Sequence, residues 1–183
     1  MQKTDLSQFN NSWYAPGANP VKRFLWYFTN AAFLNSAFPV NGFKIFLLRL
    51  FGARVGQSVV IKPHVNIKYP WKLSIGDHAW IGEYAWIDNL AEVSIGNNAC
   101  VSQGALLLCG NHNYKKPAFD LIVGAIILEE GVWIGAKSTV CPGVKCHSHA
   151  VLSAGSVATS DLDAYAVYQG NPAKKIRERI IAG

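Results

Sequence analysis

Charged residues and long apolar runs are both scarce in this chain of 183 residues. Only 15% of its residues are Asp, Glu, Lys or Arg and 50% are hydrophobic, a balance typical of globular proteins that excludes intrinsic disorder. No apolar run approaches the roughly 20 residues that cross a bilayer, and the polar start MQKTDLSQFNN lacks a signal-peptide pattern. We therefore expect a cytoplasmic protein.

Metal-ligand and nucleophile patterns are also missing. The four cysteines show no CxxC spacing and no histidine partner, so we expect reduced thiols that pack as small apolar side chains. No Gly-x-Ser-x-Gly elbow occurs, which removes the usual serine nucleophile. The net charge is +6, but basic residues are not interleaved with aromatic ones. We therefore expect a phosphorylated small molecule as a partner, and no nucleic acid.

What the chain does contain is a six-residue period that begins at Val55. A six-residue step turns a helical side chain by about 600° and would scatter the set, whereas an even period keeps strand side chains on one face. Two extra residues follow every third step, so each coil holds twenty residues. The pattern predicts an all-β solenoid of about five coils. The series is Val55, Ile61, Ile67, Ile75, Ile81, Ile87, Ile95, Val101, Leu107, Leu128, Ile134, Val140, Cys146 and Leu152.

The period divides the chain into three segments. Residues 1–52 form an irregular arm and two predicted helices, broken near 39–42, that either cap the solenoid or touch a membrane surface. Residues 53–160 form the solenoid, which a loop at 109–126 interrupts with thirteen extra residues. Residues 161–183 form a basic tail that we predict to end in a short helix.

Four sequence elements in this order resemble the left-handed β-helix, or hexapeptide-repeat, acyltransferases. They are the hexads, Gly-Asn-His at 110–112, Gly-Val-Trp-Ile-Gly-Ala at 131–136 and Gly-Asn-Pro-Ala-Lys at 170–174. Together with the N-terminal arm and helices, the sequences WIDN and NHNYKKPAF are most similar to sugar O-acetyltransferases of colanic acid biosynthesis. The resemblance implies a left-handed parallel β-helix, a homotrimer with active sites between subunits, acetyl-CoA as co-substrate, no metal, and a sugar acceptor from surface polysaccharide assembly.

The resemblance also implies roles for single residues. His112 corresponds to the general base, and the backbone N–H of Ala136 to the donor for the oxyanion. Trp133 packs against the acceptor or the pantetheine arm, or else it supports the loop. Asp88 and Asn89 are candidates for acceptor binding, with an ordinary Asp-Asn turn as the alternative. The expected contacts to CoA come from small residues and basic tail residues, namely Gly135, Ala136, Ser153, Ala154, Thr159, Lys174 and Arg179.

Three other functions compete with this interpretation. A related acetyltransferase would use serine or a simple sugar as its acceptor. Zinc-dependent carbonic anhydrases share the prism, and the spacing of His78 and His112 suits them, but no third histidine follows shortly after His112. A non-catalytic solenoid would leave His112 and the Gly-Asn-Pro-Ala-Lys ending unexplained. The remaining histidines fall at outward positions where we expect solvated side chains, namely His64, His78, His147 and His149.

Overall fold

The computed structural model describes residues 3–182. Two α-helices open the fold, α1 (Pro20–Thr29), which runs on into a π-helical turn (Asn30–Leu34), and α2 (Asn41–Leu50). Asn19 caps α1 because its side chain accepts a hydrogen bond from the N–H of Lys22, and Pro20 occupies the first turn. The two helices and the break before residue 41 agree with the prediction from the sequence.

Within residues 3–182 the chain then forms nineteen short strands. In chain order they are β1 (Arg54–Val55), β2 (Val60–Ile61), β3 (Asn66–Ile67), β4 (Leu73–Ile75), β5 (Trp80–Ile81), β6 (Trp86–Asp88), β7 (Val93–Ile95), β8 (Cys100–Val101), β9 (Leu106–Leu108), β10 (Gly110–His112), β11 (Leu121–Val123), β12 (Ile126–Leu128), β13 (Trp133–Ile134), β14 (Thr139–Val140), β15 (Lys145–Cys146), β16 (Val151–Leu152), β17 (Val157–Ala158), β18 (Ala166–Gly170) and β19 (Ala173–Glu178).

These strands stack into the three parallel faces of a solenoid, which confirms the predicted fold. The first face holds β1, β4, β7, β12 and β15; the second holds β2, β5, β8, β13, β16 and β18, with β19 at its edge; the third holds β3, β6, β9, β14 and β17. Val55 pairs with Ile75 and Ile75 with Ile95, so neighbouring coils are twenty residues apart. Ile95 then pairs with Leu128, so the thirteen-residue insertion leaves the stacking register unchanged. Five coils are complete and a sixth is partial.

The aliphatic series fills the interior of the solenoid. Every member from Ile61 to Leu152 is buried, and Val55 on the outermost coil is half-buried. Burial of one such side chain contributes about 1.5–3 kcal/mol, so the repeat itself supplies the core. The inner positions of the corners are taken by small side chains such as Ala79, Ala85 and Ser138, which are also fully buried.

The two helices lie over the open end of the first coil. Trp26 in α1 donates its indole N–H to the carbonyl of Ile67 at 2.8 Å. Lys44 in α2 is fully buried, and its Nζ donates to the carbonyl of Lys62 at 2.9 Å; this burial lowers the pKa of its ammonium. The Asn41 amide donates to the carbonyl of Val59 and accepts from the N–H of Ile61. These contacts satisfy polar backbone groups that an uncapped coil would leave open.

The tail differs from the sequence-based expectation, because the predicted C-terminal helix is wrong. Within residues 161–182 the chain forms β18 and β19, an antiparallel pair joined at Asn171–Pro172. β18 also pairs in parallel with β16, with Val151 opposite Val167. The residues predicted to be helical form β19, which satisfies the free edge of β18; a helix there would leave that edge without partners.

Candidate active site

His112 ends β10, the first strand of a hairpin that the inserted loop forms with β11. Its ring stacks on Phe119, with centroids 4.5 Å apart and planes inclined by 9°, and Phe9 of the N-terminal arm lies 5.7 Å away. Nδ1 lies 2.9 Å from the carbonyl oxygen of Phe119. Since a carbonyl only accepts hydrogen bonds, Nδ1 must carry the proton, and in the neutral ring Nε2 is left as the proton acceptor.

The N-terminal arm encloses the space around His112. The hydroxyl of Tyr14 donates to the carbonyl of Leu90 at 2.7 Å, and Trp71 donates its indole N–H to the carbonyl of Pro16 at 2.7 Å. The resulting cavity of about 570 Å³, which we call the histidine cavity, has the size of a small-molecule site. The sequence shows the arm only as an irregular segment, and its one signal is the presence of aromatic residues in a polar stretch. The lining residues are Phe9, Asn11, Ser12, Tyr14, Pro16, Arg23, Lys68, Tyr69, Leu90, His112 and Leu121.

Asp88 lies on the outer side of β6, one wall away from the histidine cavity. Its carboxylate accepts a hydrogen bond from Lys68 Nζ at 2.8 Å and is only 8% exposed as a residue. Lys68 itself lines the histidine cavity. Asp88 therefore positions Lys68 at the edge of the histidine cavity, and its predicted contact with the acceptor stays a prediction.

The contacts of Asn89 favour the structural alternative over the predicted contact with the acceptor. The side chain is fully buried. Its Oδ1 accepts from the N–H of Tyr69 at 2.8 Å, and its Nδ2 donates to the carbonyls of Tyr69 at 2.6 Å and Lys72 at 3.3 Å. The amide is thus used in joining two coils, and none of it faces the cavity.

Six of the predicted residues come together in a second space, which we call the CoA groove. This groove of about 930 Å³ runs along the second face between the corners of the coils and the end of β19. It is lined by Trp133, Gly135, Ala136, Ser153, Ala154 and Arg179, together with Ser102, Gln103 and neighbouring residues. Because these residues come from three coils and the tail, only the stacking brings them together.

Backbone groups dominate the inner end of the CoA groove. A Cβ on Gly135 would lie 2.5 Å from the nitrogen of Ala154, so only glycine allows the coils to approach this closely. The N–H of Ala136 donates to no acceptor among residues 3–182. Trp133 donates its indole N–H to the hydroxyl of Ser102 at 2.9 Å and is 49% exposed. Trp133 thus lines the groove beside Ser102, and its predicted contact with the acceptor or the pantetheine arm stays a prediction.

Of the three predicted CoA contacts Thr159, Lys174 and Arg179, only Arg179 lies at the groove. Arg179 lines it, although one guanidinium nitrogen already donates to the carbonyls of Gly131 and His149. Thr159 and Lys174 are exposed and lie outside the lining of the groove. Thr159 follows β17, at the same edge of the third face where the histidine loop leaves β9.

The histidine cavity and the CoA groove lie at different corners of the prism. Ala136 is at the corner between the second and third faces, whereas the loop that carries His112 leaves after the third face. Within one coil, six residues separate Gln103 at the first corner from Cys109 at the second, up to about 20 Å of strand. Acyl transfer needs the reacting atoms within about 3–3.5 Å. His112 and Ala136 of one chain therefore lie at separate corners of the prism.

Thiolate and metal chemistry receive little support from the described residues. Burial raises the pKa of the Cys109 thiol to about 11 and that of Cys146 to about 12. Among residues 3–182, no group of three or more His, Cys, Asp and Glu side chains is arranged to hold a metal ion.

Comparison with known proteins gives the class of this protein, the hexapeptide-repeat acetyltransferases. No family model matches the chain. WcaF of Escherichia coli (strain K12), named for acetyl transfer in colanic acid biosynthesis, is 38% identical over 177 residues, which cover 96% of this chain and 97% of that protein. The chain belongs to the family of acetyltransferases that includes WcaF, and it is an enzyme of the acyltransferase class.

Solved structures of related proteins agree with this assignment. A galactoside acetyltransferase in complex with coenzyme A has a TM-score of 0.77 at 26% identity and covers 87% of this chain and 81% of that chain. The hexapeptide-repeat acetyltransferase VCA0836 of Vibrio cholerae, complexed with acetyl-CoA, has a TM-score of 0.80 at 21% identity and covers 88% of both chains, which shows the shared fold.

Proposed function

We propose that the protein transfers the acetyl group of acetyl-CoA to a sugar hydroxyl during assembly of a surface polysaccharide, in the cytoplasm. Support comes from the family, from the naming of WcaF for colanic acid biosynthesis, and from the structure of a galactoside acetyltransferase with coenzyme A. The observation that carries the proposal is the His112 ring, whose Nδ1 is held by the Phe119 carbonyl while Nε2 is left as a base beside a cavity.

The proposed reaction is direct transfer without a covalent enzyme intermediate. The acceptor oxygen attacks the thioester carbonyl carbon while His112 Nε2 takes the hydroxyl proton. The N–H of Ala136 donates to the oxyanion that develops on the carbonyl oxygen. When the intermediate collapses, the C–S bond breaks, and the imidazolium returns its proton to the departing CoA thiolate. Because the thiol carries the proton away, the enzyme ends in its starting state.

Replacement of the base tests the proposal. We expect His112→Ala to lower kcat by about 10²–10⁴ while the melting temperature is unchanged. His147→Ala is the matched control, since that ring faces Glu129 at a different corner of the prism and should leave kcat near the wild-type value. The assay follows thiol release from acetyl-CoA with sugars, serine and other hydroxyl acceptors, and then the product mass. Near-normal turnover by His112→Ala would contradict the mechanism.

We further propose that the active enzyme is a homotrimer with each site shared by two subunits. The support is that His112 and Ala136 lie at different corners of one prism, so a neighbouring copy must bring a histidine cavity to a CoA groove. Such a neighbour would also place Thr159 beside the CoA groove of the next subunit. Light scattering should then give three times the chain mass of 20.0 kDa.

Mixed oligomers provide a sharper test of the shared site. His112→Ala and Gly135→Ala subunits should each be nearly inactive alone. If the site is shared, mixing them under refolding or coexpression restores activity, because some interfaces combine an intact histidine with an intact groove. Equal inactivity of the mixture, with mixed oligomers confirmed by mass, would place both groups in one subunit and refute the shared site.

Contact of the N-terminal helices with a membrane surface stays a prediction. Both helices expose aromatic and aliphatic side chains, including Phe24, Phe28 and Phe46. None of the helices described between residues 3 and 182 has the length and apolar character needed to cross a bilayer. Sedimentation with anionic vesicles, compared between wild type and a Phe24→Ser/Phe28→Ser variant, tests this contact; equal partitioning would count against it.

A further inference from the structure

A second cavity adjoins the histidine cavity, and the proposed acetyl transfer does not use it. It measures about 430 Å³ and lies between α1 with its π-helical turn and the outer side of β3 and β6. We call it the helix cavity. Its walls combine indole and phenol rings, amide side chains and charged groups. The lining residues are Arg23, Trp26, Tyr27, Asn30, Ala31, Asn35, Asn66, Ile67, Lys68, Tyr69, Trp71, Trp86 and Asp88.

The two cavities adjoin along one edge of the molecule. Arg23, Lys68 and Tyr69 line both of them. A molecule whose reacting hydroxyl lies beside His112 therefore has a direct route past these three residues to Trp86. Each cavity alone falls within the range of about 300–1,000 Å³ found for small-molecule sites, so together they exceed the needs of one sugar ring.

The chemistry of the helix cavity suits a carbohydrate. Trp86 and Tyr27 present exposed rings, 44% and 69% accessible as residues, and such rings offer flat apolar faces for the C–H side of a sugar. The Asn35 amide and the Arg23 guanidinium have no hydrogen-bond partner among residues 3–182, so they are available to hydroxyl groups. Asn30, by contrast, is already bonded to Asn66.

On the basis of the proposed function, we propose that the helix cavity is a second sugar subsite and that the natural acceptor is an oligosaccharide. Its acetylated residue lies beside His112, and the adjoining residue packs against Trp86. A nucleotide-linked monosaccharide fits less well. Its diphosphate would pair with the free Arg23 guanidinium, but Lys68 is already neutralised by Asp88 at 2.8 Å, and a diphosphate makes no use of the exposed Trp86 ring.

Acceptor length is the variable that tests this subsite. The probes are monosaccharides, nucleotide sugars and a size-graded set of oligosaccharides obtained by partial hydrolysis of deacetylated colanic acid. For the wild-type enzyme we expect kcat/KM to rise by about tenfold or more from one sugar to two or three, through a lower KM. Trp86→Ala should abolish this gain and leave kcat with monosaccharides unchanged.

Two further variants separate ligand contact from folding. Trp80→Ala removes another exposed indole, 54% accessible as a residue, from the neighbouring face of the same coil, and it should retain the full gain with length. Trp86→Phe keeps an aromatic face and should recover part of the gain. The monosaccharide kcat of each variant reports whether it has folded.

The possible outcomes are distinct. If wild-type enzyme acetylates no sugar, the proposed function fails. If it acetylates monosaccharides and oligosaccharides with equal kcat/KM, or if Trp86→Ala weakens both equally, the second subsite is refuted while the function stands. A Trp86-dependent preference for nucleotide sugars would overturn the oligosaccharide in favour of a nucleotide.

Discussion

Gly135→Ala is expected to damage stability and catalysis together, because this glycine lies where two coils touch behind the CoA groove. A Cβ at this position would lie 2.5 Å from the nitrogen of Ala154 and 2.7 Å from the carbonyl oxygen of Leu152. Both are backbone atoms, and the N–H of Gly135 itself donates to that carbonyl at 2.7 Å. The coils must separate to admit the methyl group, and overpacking of this kind costs about 1–3 kcal/mol.

The same displacement moves the N–H of Ala136, the next residue along the chain. A donor to an oxyanion works at about 2.7–3.1 Å, so a shift of a few tenths of an ångström removes most of its effect. Loss of one such donor lowers kcat by about 10²–10³, or about 2.7–4 kcal/mol. We therefore expect a lower kcat together with a melting temperature reduced by about 2–4 °C per kcal/mol.

Gly76→Ala is the matched control for this experiment. Its Cβ would lie 2.6 Å from the nitrogen of Asn97 and 2.8 Å from the carbonyl carbon of Gly96, so it meets the same kind of backbone contact at another corner. We expect a similar loss of melting temperature with kcat unchanged. If Gly135→Ala is destabilised to the same degree but keeps its kcat, the Ala136 N–H is not the oxyanion donor.

Three further predictions concern stability and thiol reactivity. Hydrogen bonds from Lys145 and Ser148 lower the pKa of Glu129 from 4.5 to about 2. Its stabilising contribution is therefore complete above about pH 4.5 and lost as the pH falls through 2, and Glu129→Gln should weaken the acid dependence of urea unfolding. Leu107→Ala should lower the free energy of unfolding by about 2–5 kcal/mol, since that side chain is fully buried; a change below about 1 kcal/mol would contradict it. At pH 8, Cys109 should resist alkylation until urea unfolds the chain, as peptide mass mapping would show.

The solenoid could be predicted because its information is local and repeated. Each hexad contains one apolar residue that faces inward, and the small residues between them mark the corners of the coil. The register across the loop followed as well, since Ile95 and Leu128 occupy equivalent positions on either side. His112 stood out because it falls where the repeat is interrupted.

Features that depend on distant partners could not be predicted in this way. The basic tail has a composition compatible with a helix, and only the free edge of β18 makes it a strand. Asn89 looks like any polar turn residue until its amide is seen to join the backbone of Tyr69 and Lys72. The arm has no period at all, and the hydrogen bond from Tyr14 to Leu90 joins residues 76 positions apart.

The inserted loop at 109–126 explains how a uniform repeat can hold a unique functional site. A solenoid presents similar outward positions on every coil, so a unique site requires a break in the repeat or an added segment. The histidine loop leaves after β9 and returns at β12, and the coils on either side stack as though it were absent. The loop therefore leaves the hydrogen bonds between the stacked strands intact. The loop, the arm and α1 can accordingly form an acceptor site without disturbing the core. Substrate preference among relatives should accordingly follow these three segments, and exchanging the loop 109–126 should change the acceptor while leaving the KM for acetyl-CoA unaltered.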